Sequence, residues 1–345
     1  MAERLGVPLA GLTTLRLGGP ARRLVEVTSA TELVETVAAC DAAGEPVLVL
    51  GSGSNVVVAD EGYAGTVVLV RTSGRDVEVD SSSGAWVTVA AGEDWDELVA
   101  TAVHEGWAGL EALSGIPGRC GAAPIQNVGA YGQDVSQTIA RVETYDRLTG
   151  RRMSLTSREC GFGYRSSRFK REPGRHVVLA VTFQLRLGAL STPVGYGELA
   201  RRLGIELGDR APLVDVRAAV LELRRCKGMV LDLPDHDTWS AGSFFTNPIL
   251  LAPDADRLPA EAPRWRQPDG SVKISAAWLM EHAGFTRGYG SGPARLSGKH
   301  SLAVTNRGGA STAQVLALAR EIRDGVRECF GIELVNEPVT VGCRL

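Results

Sequence analysis

The stretch Pro46-Val-Leu-Val-Leu-Gly51-Ser52-Gly53-Ser54-Asn55-Val56-Val-Val58 runs from a valine-rich strand into a glycine-serine loop and directly out into a second strand. Glycine at 51 and 53 lets the backbone come close to a ligand. Successive N–H groups, with Ser52, Ser54 and Asn55, suit an anion such as a pyrophosphate. A doubly wound dinucleotide fold would need a third glycine and a helix immediately after the loop. Position 56 is valine and the strand pattern continues, so the stretch predicts a phosphate cradle of a different fold, or a tight turn with no ligand. Both readings stay open on this segment alone.

Outward from the loop, β-branched runs at 24–27, 67–70, 77–79 and 86–90 predict further strands. Ser29-Ala-Thr-Glu32 has the form of a capping box for a helix through 39, and an acidic first turn opens a helix over 94–105. Residues 109–138 break this rhythm with a glycine-rich, weakly charged stretch, and segments of that length without periodicity inside a compact domain point to function. Strands are expected at 139–145 and 177–187. After 187 the texture turns helical, at 199–203, 214–227, 274–283 and 312–330, the last ending before Gly331; a closing strand over 332–341 carries Glu337. The expectation is an α+β protein. It has a two-part lobe over 15–188 (15–72 and 73–188), a connecting region over 189–219 and a C-terminal lobe over 220–345.

At 345 residues the chain exceeds one hydrophobic core. A net charge of −3 argues against a nucleic-acid binder, which carries a basic face. With neither a signal-like N-terminus nor a long apolar run, the expected location is the cytoplasm, away from membranes. Cys40, Cys120, Cys160, Cys226, Cys329 and Cys343 show no metal spacing and read as reduced thiols; no metal is expected. His236 among Asp232, Asp235 and Asp237 reads as a solvated turn, and Arg16, Arg22 and Arg23 as surface charge.

Further motifs carry a resemblance. Leu50-Gly-Ser-Gly-Ser-Asn-Val56, followed by Ile116-Pro-Gly118 and Pro124-Ile-Gln-Asn-Val-Gly-Ala-Tyr-Gly132, resembles the FAD-binding module of the vanillyl-alcohol-oxidase (PCMH) type in the form found in the MurB family, the UDP-N-acetylenolpyruvylglucosamine reductases. Gly161-Phe-Gly-Tyr164-Arg165, Ser240-Ala-Gly-Ser243-Phe-Phe-Thr-Asn247 and Asn336-Glu337-Pro338 resemble that family's catalytic segments, in the same order. The resemblance implies a C-terminal α+β substrate-binding lobe and FAD held non-covalently by Gly51, Ser52, Gly53, Ser54, Asn55, Ile116, Gly118, Gly121, Ala122, Ile125, Gln126 and Asn127. Cys120 lies where related enzymes attach flavin covalently, although a cysteine among small residues is more often packing. NADPH is the implied co-substrate. The implied reaction is reduction of UDP-N-acetylglucosamine enolpyruvate to UDP-N-acetylmuramate in cell-wall precursor synthesis, with hydride passing from flavin N5 to the enolpyruvyl methylene.

The residue types fit that chemistry. A guanidinium fork suits the substrate carboxylate and the charge that builds on it, a role for Arg165. Ser243 is the expected proton donor, polarised and oriented by Glu337. Pro193-Val-Gly-Tyr196-Gly resembles the tyrosine loop of the larger, type I subclass. Tyr164, Tyr196, Lys227, Asn247 and Lys273 are therefore expected substrate contacts, with Lys273 opening a helix, and the protein is expected to be a monomer. Two rivals remain at this point: an FAD-linked oxidase of the same superfamily, and a non-catalytic binder of flavin or UDP-sugar.

Overall fold

A computed structural model describes residues 2–345 and divides the chain into two compact units. Among the described residues the first comprises 2–7, 21–52 and 64–226, the second 8–20, 53–63 and 227–345. Early segments thus belong to the unit of the C-terminal third. The helices Gly197–Leu203 and Leu213–Cys226, at the expected connection and lobe start, belong to the first unit.

Two sheets organise the first unit. One runs Ala2–Pro8, Pro20–Val27, Tyr63–Val70, Val47–Leu50, with the last pair parallel. The other is antiparallel, in the order Arg151–Thr156, Ile139–Asp146, His176–Leu187, Gly84–Ala90, Arg75–Asp80. The alternation of Gly84–Ala90 buries Ala85, Val87 and Val89 on one face, with Trp95, Leu98 and Phe183 in the same core. Asp94 caps the helix Trp95–His104 by accepting the N–H groups of Asp96 and Glu97. The expected box at Ser29 is half formed: its side chain accepts the Glu32 N–H, but the Glu32 carboxylate takes the N–H of Thr28, one residue upstream.

In the second unit Val315, Ala319, Ile322 and Val326 form the buried stripe of the helix Thr312–Phe330, which Gly331 ends at φ 69. That stripe shares a core with Phe244, Phe245, Leu279 and Met280. Burying each phenylalanine is worth about 1.5–3 kcal/mol. Val56–Val58 pairs in parallel with Val339–Val341.

Two expectations fail locally. The helix expected from 274 begins at Ala276; Val272–Ile274 is the central strand of a three-stranded sheet, because Val272 and Ile274 alternate into the core and Ser275 caps the helix, so Lys273 lies on a strand instead of opening a helix. The closing strand spans only Val339–Val341, which leaves Glu337 in the preceding loop, ahead of Pro338, whose ring nitrogen has no hydrogen to donate to a ladder. No helix among the described residues is long and apolar enough to cross a membrane.

Candidate active site

In the second unit five separate chain segments meet. Thr14 donates its hydroxyl to the Ser240 carbonyl at 2.7 Å, and the Phe244 N–H reaches the Leu302 carbonyl at 2.7 Å. Ser243 lies between these anchors, half-buried, after Gly242 at φ 73 and before two phenylalanines that are each 1% exposed. The Glu337 N–H donates to the Phe244 carbonyl at 2.8 Å, and Phe245 bridges Asn336. Asn55 joins the same place: its carbonyl accepts the Val339 N–H at 3.0 Å, and its side-chain amide reaches the Glu337 carbonyl at 3.5 Å. Gly53 accepts the Thr14 N–H at 3.2 Å. The backbone thus brings Asn55, Ser243 and Glu337 onto neighbouring segments, with Ser54 in the loop between.

Asn247 and Lys273 each have partners in the same unit. The Asn247 carbonyl oxygen accepts the Ala276 N–H at 2.9 Å, at the start of the helix Ala276–His282, and the Lys273 ammonium sits 5.6 Å from the centre of the Trp265 ring. Lys227 is half-buried. Arg16 departs from plain surface charge, with φ 55 and its guanidinium 5.9 Å from the centre of the Trp239 ring. Asp235 and Asp237 pair with Lys299 and Arg307. No group of three or more His, Cys, Asp or Glu able to hold a metal occurs among the described residues.

In the first unit Arg165 adopts φ 48 in a tight turn whose ends, Gly163 and Ser166, bond each other. Its guanidinium donates to the Gly129 carbonyl and, at 3.4 Å, to that of Asn127, and it lies 5.5 Å from the Tyr164 ring centre. Asn127 is also left-handed, at φ 50; its amide donates to the Gly163 carbonyl at 3.1 Å and its oxygen accepts the Ser136 N–H at 3.0 Å. Two strained residues therefore lock the glycine-rich loop to the arginine turn, and such strain persists only where the surroundings over-determine it. Gly121 lets that loop lie against Ala91, which a Cβ would meet at 2.5 Å, and Gly118 accepts the Trp95 N–H at 3.2 Å. Ile116 and Ile125 pack on the core, while Ala122 and Gln126 are half-buried beside them. Cys120 is fully buried, and burial pushes its thiol well above the usual range, the state of an inert packing thiol.

The Gly51–Ser52 turn has the features of an unfinished anion site. The Ser52 hydroxyl is buried without a hydrogen-bond partner in the protein. Arg71 donates to the Gly51 carbonyl at 3.1 Å, and the Arg119 side chain passes 3.3 Å from where a Gly51 Cβ would stand. Burial first, and then the like charge of Arg119, hold the Arg71 guanidinium below its ordinary pKa. Two guanidinium groups, an unsatisfied hydroxyl and loop N–H groups fit a diphosphate. Sequence reasoning missed both arginines, although Arg119 is the sole cation of the stretch 113–132.

Tyr196, 41% exposed, sets its ring edge-on to Tyr131, with centres 5.4 Å apart and planes at 89°. Burial pushes the Tyr131 phenol up to about 12, so it stays protonated at neutral pH. Burial likewise lowers the nearby Arg224 to about 10, still a cation.

The family described as "FAD binding domain" matches residues 21–155, and "UDP-N-acetylenolpyruvoylglucosamine reductase, C-terminal domain" matches 234–341. The chain is 57% identical to the UDP-N-acetylenolpyruvoylglucosamine reductase of Cutibacterium acnes, over 98% of this chain and 90% of the relative. It is 56% identical to that of Thermobifida fusca, over 98% of each. The crystal structure of the MurB reductase from Thermus caldophilus is similar at 27% identity and a TM-score of 0.68, covering 99% of this chain and 100% of that one.

Proposed function

This chain belongs to the UDP-N-acetylenolpyruvoylglucosamine reductase family, and on that premise we propose how its own residues serve NADPH-dependent reduction of UDP-N-acetylglucosamine enolpyruvate to UDP-N-acetylmuramate, a step of peptidoglycan precursor synthesis. The protein is an FAD-dependent oxidoreductase with a PCMH-type FAD-binding lobe. The observation that carries the assignment of roles is the bonding of the Ser243 and Glu337 segments to one another and to Asn55.

Ser52, the N–H groups of 51–55, Arg71 and Arg119 would hold the diphosphate of FAD, and the loop 116–127 would line the rest of it. The buried thiol of Cys120 supports non-covalent attachment. When bound, FAD supplies hydride transfer from NADPH to the enolpyruvyl double bond. Arg165 would bind the substrate carboxylate and stabilise the charge that develops there, since its fork is already oriented by two carbonyl groups. Ser243 would give the proton to the carbon next to that carboxylate, with Glu337 orienting the hydroxyl. Tyr164, Tyr196, Lys227, Asn247 and Lys273 are assigned to the nucleotide diphosphate and sugar. A cytoplasmic monomer is part of this proposal; six unpaired cysteines, two of them exposed, support a reducing compartment.

One stopped-flow experiment tests the reading. Protein reduced with NADPH should reoxidise when UDP-N-acetylglucosamine enolpyruvate is added without oxygen. Reoxidation only by oxygen, with an alcohol as reductant, would instead identify an oxidase.

A further inference from the structure

We propose that Glu111 is a positioning residue: its carboxylate ties the segment that carries Tyr196 to the hairpin that carries Tyr131, and so sets how tightly the substrate is held. The inference rests on the reading of Tyr196 as a substrate contact. Glu111 is 1% exposed, in the first unit. One carboxylate oxygen accepts the Gly109 N–H at 2.6 Å. The other accepts the Gln133 amide at 3.0 Å, the Thr192 N–H at 2.8 Å and the Thr192 hydroxyl at 3.2 Å. Gln133 in turn donates to the Thr192 hydroxyl at 2.5 Å and accepts the Ala112 N–H at 2.9 Å.

These four donors are all neutral. A buried carboxylate held by dipoles alone is costly, and an apolar side chain would fill the same space without that cost. What the carboxylate adds is connection. Gln133 pairs with Ala130 in the hairpin that turns through Tyr131 at φ 49, and Thr192 precedes Tyr196 by four residues. The two tyrosine rings then meet edge to face, and Gly132 lies against Gly195. Glu111 thus holds both loops from beneath at one point, next to a narrow cleft lined by Tyr131, Pro193 and Val194.

Glu111→Gln would set an amide N–H against a ring of donors and risks the fold, so Thr192→Val carries the test. It removes the hydroxyl that bonds both Glu111 and Gln133 and keeps the shape. Steady-state kinetics are measured on the FAD-loaded full chain for Thr192→Val, Thr192→Ser, Tyr196→Ala and the Thr192→Val/Tyr196→Ala pair, with flavin reduction by NADPH followed alongside. Thr192→Val should raise KM for the enolpyruvyl substrate about five- to tenfold, with kcat and flavin reduction within about twofold of native. Thr192→Ser should restore a native KM. In the Tyr196→Ala background Thr192→Val should add less than about a twofold rise. A native KM for Thr192→Val, or the same factor with and without Tyr196, overturns the inference and leaves Tyr196 as a substrate contact. A native KM for Tyr196→Ala removes the reading of Tyr196 itself, and the inference with it.

Discussion

The backbone N–H of Glu337 donates to the carbonyl oxygen of Phe244 at 2.8 Å, although 93 residues separate them in sequence (337 − 244 = 93). That bond fixes the loop before Pro338 against the residue that follows Ser243. The two phenylalanines that follow the serine are buried, so this segment cannot shift without exposing them. A serine hydroxyl is a weak acid, and it becomes useful only when its orientation is set by such a frame.

Ser243→Ala should therefore separate the half-reactions. Reduction of flavin by NADPH should stay within about threefold of native, while reoxidation by the enolpyruvyl substrate should fall by about 10²–10⁴, the range expected for removal of a general acid. Rapid mixing of each half-reaction reads this directly. Equal losses in both would show that Ser243 has a structural part instead.

Arg165→Lys tests the guanidinium fork. Arginine donates to the carbonyl groups of Asn127 and Gly129, which fix the plane of its guanidinium, and a carboxylate is bound by N–H groups lying in that plane. A lysine ammonium offers a point charge with no such geometry. The expected loss in kcat/KM for the enolpyruvyl substrate is about 100-fold, with flavin content unchanged. A loss below about threefold would remove Arg165 from the reacting centre.

Much of the frame was legible from local rules, because caps, periodicity and glycine positions act over a few residues. The helix Thr312–Phe330 follows from its apolar stripe and Gly331, and the loop after Leu50 leads into a strand, as Val56 requires. Errors arose where distant contacts decide. Val272–Ile274 is a strand because Ile249–Leu250 and Arg264–Arg266 flank it. Glu337 is in a loop because its N–H is taken by Phe244. Arg71 and Arg119 were invisible as a pair, since only the folded sheet brings residues 48 positions apart (119 − 71 = 48) to one turn. The interleaving of residues 8–20 and 53–63 with the C-terminal third has no local signature.

The first glycine loop should respond unequally to alanine. At Gly53 the backbone has φ +61, and a Cβ would stand 2.2 Å from the Leu12 carbonyl oxygen, so Gly53→Ala should cost at least about 1–3 kcal/mol and release flavin. At Gly51 a Cβ would stand 3.3 Å from the Arg119 Cγ and 3.4 Å from its Cβ, a crowding that a shift of a few tenths of an ångström relieves. Gly51→Ala should fold with a native melting temperature and bind flavin more weakly. Melting curves and the ratio of flavin to protein absorbance check both; equal melting temperatures for the two variants would contradict the argument.

Acid sensitivity should centre on Asp146. Its carboxylate, 1% exposed as a residue, receives two donors of Arg175, at 3.0 and 2.9 Å, and the Leu148 N–H at 3.0 Å. The hydrogen bonds from Arg175 hold its pKa far below the ordinary carboxylate value, against the opposing effect of burial. A group depressed in the folded state contributes its stability above the unfolded value of about 4 and loses it as pH falls toward the folded one. Chemical denaturation between about pH 7 and pH 3 should show native stability declining as the unfolded chain takes up a proton that the folded chain refuses. Asp146→Asn should be less stable than native at neutral pH, because Arg175 loses its charged partner, and the gap should narrow at the acid end. A gap constant across that range would mean that Asp146 is linked to folding by packing and not by its charge.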